Sequence, residues 1–222
     1  MNVQLMHYAI DQGLQKVGSN AYDTFLPEEL DFFLNKMQER FIKDRYFNYS
    51  DNKRLGFSKT LKRLEDLQTL ISEYSTTSLT SSTSTAVTFN LPSSSYLYLI
   101  ALQVKLKKDS TSTSMLVPAR VVEYDKIYEM LRNPFATTLS SSPLAVIGDD
   151  KIKVFKDEKF ILEGVELNYI KKPQEISLSL SKDCELAEHT HQEIVDLTIK
   201  HILEVIVSPR YQSNSLEESQ SD

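Results

Sequence analysis

Hydrophobic positions recur at helical spacing through the first third of the chain. Val3, Met6, Ile10, Leu14 and Val17 fall on one face of a helix over residues 2–17. The Gly18-Ser19-Asn20 cluster ends it. A second helix opens at Leu26-Pro27-Glu28-Glu29, with proline at an early helical position and acids where the helix dipole favours them. Its apolar stripe is Leu30, Phe33, Leu34, Met37, Phe41 and Ile42, while Lys36, Glu39, Arg40, Lys43 and Asp44 take the other faces. After a polar turn at 48–56, Leu61, Leu64, Leu67, Ile71 and Tyr74 predict a third helix over 57–74. The short connection makes the last two an antiparallel hairpin.

The period then changes. Residues 75–85 are nearly all Ser and Thr, interrupted by Leu79. Such a composition predicts a linker or mobile loop, with an edge strand as the alternative because Thr favours strands. From Ala86 onward apolar and polar residues alternate. Val87 and Phe89 mark one strand, 96–107 a second, and 115–122 its hairpin partner, long enough to project from the body. A short helix over 125–132 turns Ile127, Tyr128 and Leu131 inward, and Asn133-Pro134 stops it. Strands at 144–147, 151–155 and 160–170 follow, with turns at 148–150 and 156–159. A closing helix spans 189–207, opened by a capping box from Thr190 to Glu193 and striped by Ile194, Leu197, Ile202, Val205 and Ile206.

Helices, then strands, then a helix predict an α+β fold: a helical hairpin or bundle, an antiparallel β part and a C-terminal helix. One domain is expected over 1–211, helical over 1–74, strand-rich over 86–173, with a flexible acidic tail at 212–222.

Composition narrows the classes. The chain has 222 residues, 41% hydrophobic and 25% charged, which is ordinary for a globular protein. Its apolar runs fall short of the roughly 20 residues that span a bilayer, so no membrane partner is expected. The N-terminus has no basic stretch leading into an apolar run, so no secretion signal is expected. Cys184 is the single cysteine, which excludes an intrachain disulfide and points to synthesis in a reducing cytoplasm. A net charge of −6 disfavours gripping phosphates but suits a passage through which DNA slides.

Candidate chemistry is sparse. The five glycines, at 13, 18, 56, 148 and 164, assemble no phosphate loop. There is no G-x-S-x-G elbow. His191 and His201 lie about 15 Å apart along one helix, too far for one ion to bridge. With His7 and His189 they read as capping and packing residues. Cys184 sits among Asp183, Glu185 and Glu188, whose charge disfavours a thiolate. Acidic pairs such as Glu28-Glu29 and Asp149-Asp150 read as solvated surface. Between Leu26 and Tyr74 nine basic residues balance nine acidic ones, which suits contacts with other subunits better than a nucleic-acid footprint. No enzyme, cofactor or metal site is expected.

Four stretches taken together resemble a family. They are the run from Tyr22-Asp-Thr-Phe25 through Arg40-Phe41, Gly56-Phe-Ser-Lys-Thr-Leu-Lys-Arg63-Leu-Glu-Asp-Leu67, Leu167-Asn-Tyr-Ile-Lys-Lys-Pro173, and Cys184-Glu-Leu-Ala-Glu-His-Thr-His-Gln-Glu-Ile-Val-Asp-Leu197. In this order the chain resembles the connector ring proteins of crAss-like bacteriophages, and its arrangement is similar to the tail tubular protein A adaptors of short-tailed phages. The resemblance covers about residues 20–211. It implies a virion protein made in the host bacterial cytoplasm. It implies a ring of about twelve copies joining the portal protein to adjacent tail or ring proteins, with genomic DNA passing through the lumen. It places subunit contacts at Tyr22, Phe25, Arg40, Arg45, Arg63, Tyr96, Tyr98, Arg210 and Tyr211.

Overall fold

The computed structural model describes residues 1–17, 25–51, 64–92, 95–107, 113–148, 150–157 and 160–206. Its helices are α1 (Val3–Val17), α2 (Pro27–Asp51), α3 (Ile127–Arg132) and α4 (His191–Ile206). Its strands are β1 (Ile71–Thr76), β2 (Leu79–Ser82), β3 (Ala86–Asn90), β4 (Tyr96–Lys107), β5 (Met115–Pro118), β6 (Arg120–Val121), β7 (Leu144–Ile147), β8 (Lys151–Phe155) and β9 (Ile161–Lys171). The fold is therefore mixed α+β with antiparallel sheets and a C-terminal helix. The chain forms two compact units, one of Met1–Leu70 with Pro173–Asp222 and one of Ile71–Lys172.

In the first unit α1 and α2 both pack on α4. Val3, Met6, Ile10 and Leu14 of α1 are buried, as are Leu30, Leu34, Met37, Phe41 and Ile42 of α2. The start of α1 is capped by Asn2, whose Oδ1 accepts from Leu5 N at 2.9 Å. Glu29 caps α2 by reaching back to Leu26 N at 2.9 Å. The closing helix departs from its expected stripe. Val195 and Thr198 are buried while Val205 is exposed and Leu197 is half-buried. Thr198 tolerates burial because its hydroxyl donates to Ile194 O at 2.7 Å. The expected capping box does not form. A 310 turn, Glu188–Thr190, leads into α4, and the Thr190 hydroxyl donates back to Ala187 O at 2.7 Å. Glu193 is instead drawn to Arg45.

The second arm of the expected helical hairpin falls partly on 52–63, outside the described residues. Residues 64–67 are helical and a 310 turn, Gln68–Leu70, follows. Beyond it the chain is strand rather than helix, because Ile71–Thr76 pairs along β9 from Ile71↔Ile170 to Thr76↔Val165. Ladder pairing with a distant strand overrides a local helical spacing.

The second unit is a sandwich. One sheet has the order β1-β9-β4-β5 and is antiparallel throughout. The other has the order β2-β3-β8-β7-β6, with β6 parallel to β7. Alternate residues of both sheets meet in one core: Val87 and Phe89, Ile152 and Val154, Leu102, Val104 and Leu106, Val165, Leu167 and Tyr169. On the far side of the five-stranded sheet, α3 sets Ile127 against Leu144 and Val146, so β7 is buried on both faces. Tyr128 faces solvent instead of the core, since Ile127 with Met130 and Leu131 already fills that side. The β4–β5 hairpin does not stand apart, because β4 also pairs with β9 along its length. The Ser/Thr segment expected as a linker holds the end of β1 and all of β2, the edge-strand alternative. The chain crosses between sheets at Thr77-Ser78, where Gly164 is required: a Cβ there would meet Thr76 O at 2.7 Å.

Candidate assembly surfaces

A polar stripe on α2 grips the chain that returns from the sandwich. Asp31, Asn35 and Gln38 lie at helical spacing i, i+4, i+7. Asn35 both donates to Ile176 O at 2.9 Å and accepts from Ile176 N at 2.8 Å. Asp31 accepts from Leu178 N at 3.0 Å, and Gln38 donates to Gln174 O at 3.3 Å. His7 of α1 donates from Nε2 to Asp31 at 2.8 Å, tying a third element to the clasp. Sequence reading missed this stripe. The signal was three polar residues beside an apolar stripe, but their partners lie more than 130 residues away.

A second network centres on Asp66, which is buried. His189 Nε2 sits 2.8 Å from its Oδ1. Arg45 Nε lies 3.0 Å from Oδ2, close enough for charge attraction though off the line of a hydrogen bond. The other end of Arg45 reaches Glu193 at 2.7 Å, and its guanidinium lies 4.7 Å over the Phe41 ring. Arg45, expected at a subunit contact, thus makes these ion pairs inside its own unit. Met1 N lies 2.9 Å from His191 Nδ1, and His191 Nε2 donates to Leu186 O at 2.8 Å, so this buried imidazole is a packing residue. Burial raises the Cys184 thiol pKa, with Glu185 and Asp183 adding to the effect.

Of the remaining expected contact residues, Phe25 and Arg40 belong to the first unit and Tyr96 and Tyr98 to the second. Tyr22, Arg63, Arg210 and Tyr211 lie outside the described residues. Arg40 is exposed and 4.0 Å from Asp44. Tyr96 is half-buried and stacks on Tyr169 at 5.8 Å between ring centroids, and Tyr98 is half-buried. Phe25 packs edge-on against Phe33 at 6.2 Å, and Phe33 contacts both Phe32 and His201. This aromatic run continues to the surface, where Leu26 is exposed and Phe32 is 64% exposed. On the sandwich unit Tyr124, Tyr128 (65%) and Phe135 (94%) stand in solvent around α3. Among the described residues no group of three His, Cys, Asp or Glu side chains is placed to hold a metal ion, and no helix is long and apolar enough to cross a membrane.

A family model described as phage tail ring protein 3/4 matches residues 1–216. No curated protein matches the chain. With nearly the whole chain matched, this chain belongs to the crAss-like phage tail ring protein 3/4 family, structural virion components of the tail.

Proposed function

We propose that this chain is a subunit of the head-to-tail connector, a ring that extends the portal's DNA channel and offers a platform to the next tail component. The match of residues 1–216 to the phage tail ring protein 3/4 family carries this reading, and the exposed Phe32, Tyr128 and Phe135 are side chains that a neighbouring subunit would cover. About twelve copies close head-to-tail, each showing two different faces to its neighbours. Contacts at Tyr22, Phe25, Arg40, Arg63, Tyr96, Tyr98, Arg210 and Tyr211 belong to this arrangement. Arg45 fits it through positioning, because it holds Asp66 and Glu193 in place. Twelve copies at −6 each give a ring charge of about −72, and the part that faces the lumen repels DNA and lets it pass. The protein acts by contact alone, without catalysis, cofactor or metal, and is made in the host bacterial cytoplasm.

Native mass measurement of the chain with and without its cognate portal tests the reading. The expected result is a complex heavier than the portal by about twelve chains, with the free chain allowed to be monomeric. Failure to bind either portal or tail ring overturns it. Cryo-microscopy of particles distinguishes the connector from a tail-tube, tail-completion or host-binding position.

A further inference from the structure

Among the described residues the sandwich has four outer strands, and they differ in how they are guarded. Exposed backbone edges recruit other strands unless charge, proline or shortness prevents it. In the four-stranded sheet β1 carries exposed Glu73, whereas β5 is guarded only where it ends, at Pro118. In the five-stranded sheet β6 is two residues long and begins with Arg120. The remaining strand, β2, is Leu79-Thr80-Ser81-Ser82, every residue exposed, with neither charge nor proline. No charged residue occurs from Ser75 to Asn90. Its one irregularity is a register shift between Leu79 and Ser81. Leu79, opposite core residue Phe89, is 51% exposed at the margin of the core.

The opposite margin is complementary. Strand order puts β1 and β5 at the two ends of one sheet and β2 and β6 at the two ends of the other. The chain passes from β1 to β2 at Thr77-Ser78 and from β5 to β6 at Ala119, so β2 and β5 lie on opposite margins of the sandwich. On β5, Met115 and Leu116 are exposed, and the strand is also uncharged. Two uncharged edges meet without desolvating an ion, and apolar side chains on each are covered.

We propose that β2 of one subunit pairs with the β5 edge of a second copy, making the sandwich margin the seam between ring neighbours. This rests on the ring reading and specifies its interface. Different edges on opposite margins give a head-to-tail contact, which closes into a ring; a β2-to-β2 contact would stop at a two-fold dimer. Backbone pairing supplies affinity, as in other strand additions, and Leu79 with Leu116 supplies apolar contact.

The test uses phage carrying full-length chain with cysteines on both margins, Thr80→Cys or Ser82→Cys combined with Met115→Cys or Leu116→Cys, and Cys184→Ser. Oxidised virions are run on non-reducing gels. A ladder of crosslinked multimers from a double variant, absent from each single variant, is the expected result. Dimers from Thr80→Cys alone, or intact rings with no crosslink in any combination, overturn the seam and leave the ring reading standing. Absence of the unsubstituted chain from any ring in the virion overturns both. Ser81→Lys supplies an independent reading: far-UV circular dichroism is unchanged and ring incorporation falls roughly tenfold or more, since a lysine at the seam is desolvated without a partner. Normal incorporation of folded Ser81→Lys overturns the seam.

Discussion

At the scale of single residues, buried charge decides more than exposed charge. Asp66 is buried against Arg45 and His189, so removing its carboxylate leaves the Arg45 guanidinium short of a partner. Asp66→Ala is expected to destabilise the protein by about 3 kcal/mol, read from chemical denaturation midpoints at constant m-value. An equal loss at the exposed Arg40–Asp44 pair is not expected, since such pairs contribute about 0.5 kcal/mol. His201 gives a pH-dependent term. Burial lowers its pKa below 6.5, and Lys36, whose Nζ donates to its Nε2 at 3.1 Å, lowers it further; Arg40 adds to this and Glu204 opposes it. The unfolded chain therefore takes up the proton first as pH falls. Stability from this residue is full above about pH 6.5 and is lost as pH drops through that value toward the lower folded pKa. His201→Gln should lose less stability than the parent chain between neutral and acid pH, measured by urea titration.

At the scale of elements, the α2 clasp joins a helix to an extended segment by polar bonds. Asn35 satisfies both backbone groups of Ile176. Asn35→Ala leaves these part-buried groups unpaired, at a cost of about 2 kcal/mol. Hydrogen exchange at the Ile176 and Leu178 amides should accelerate in this variant while the amides of β9 stay protected. Equal acceleration across both would show that the clasp supports the whole fold rather than one segment. The stripe could not be read as a clasp from α2 alone, because Asp31, Asn35 and Gln38 look like ordinary solvated positions until residues 174–178 are laid beside them. The apolar stripes of α1 and α2 were legible, because they report a periodic burial that depends only on the helix itself.

At the scale of the whole molecule, the sandwich is an insertion whose two ends are neighbours. Ile71 pairs with Ile170, so the chain enters and leaves through adjacent strands. Its core draws on both sheets and on α3 within Ile71–Lys172. The isolated fragment 71–172 is therefore expected to fold, with a cooperative thermal transition and a β-type circular dichroism spectrum. A fragment without a transition would show that the helical unit is needed to hold it.

The sequence by itself determined what depends on near neighbours. The i, i+3, i+4 spacing of α1 and α2, the alternation in β3, β8 and β9, and Asn133-Pro134 after α3 all reappear in the structure. The resemblance to phage ring proteins was likewise carried by local runs. Only the tertiary structure decided what depends on distant partners. Ile71–Thr76 became a strand because β9 was there to pair with it, and β2 formed in a Ser/Thr run because β3 offered a ladder. Glu193 turned to Arg45 instead of capping its own helix, and Tyr128 turned to solvent. For the two strands, local preference amounts to a few tenths of a kcal/mol per residue, and a ladder of hydrogen bonds outweighs it; for Glu193 a charge-assisted bond from Arg45 to both carboxylate oxygens competes with the cap, and for Tyr128 the core side is already filled by Ile127, Met130 and Leu131.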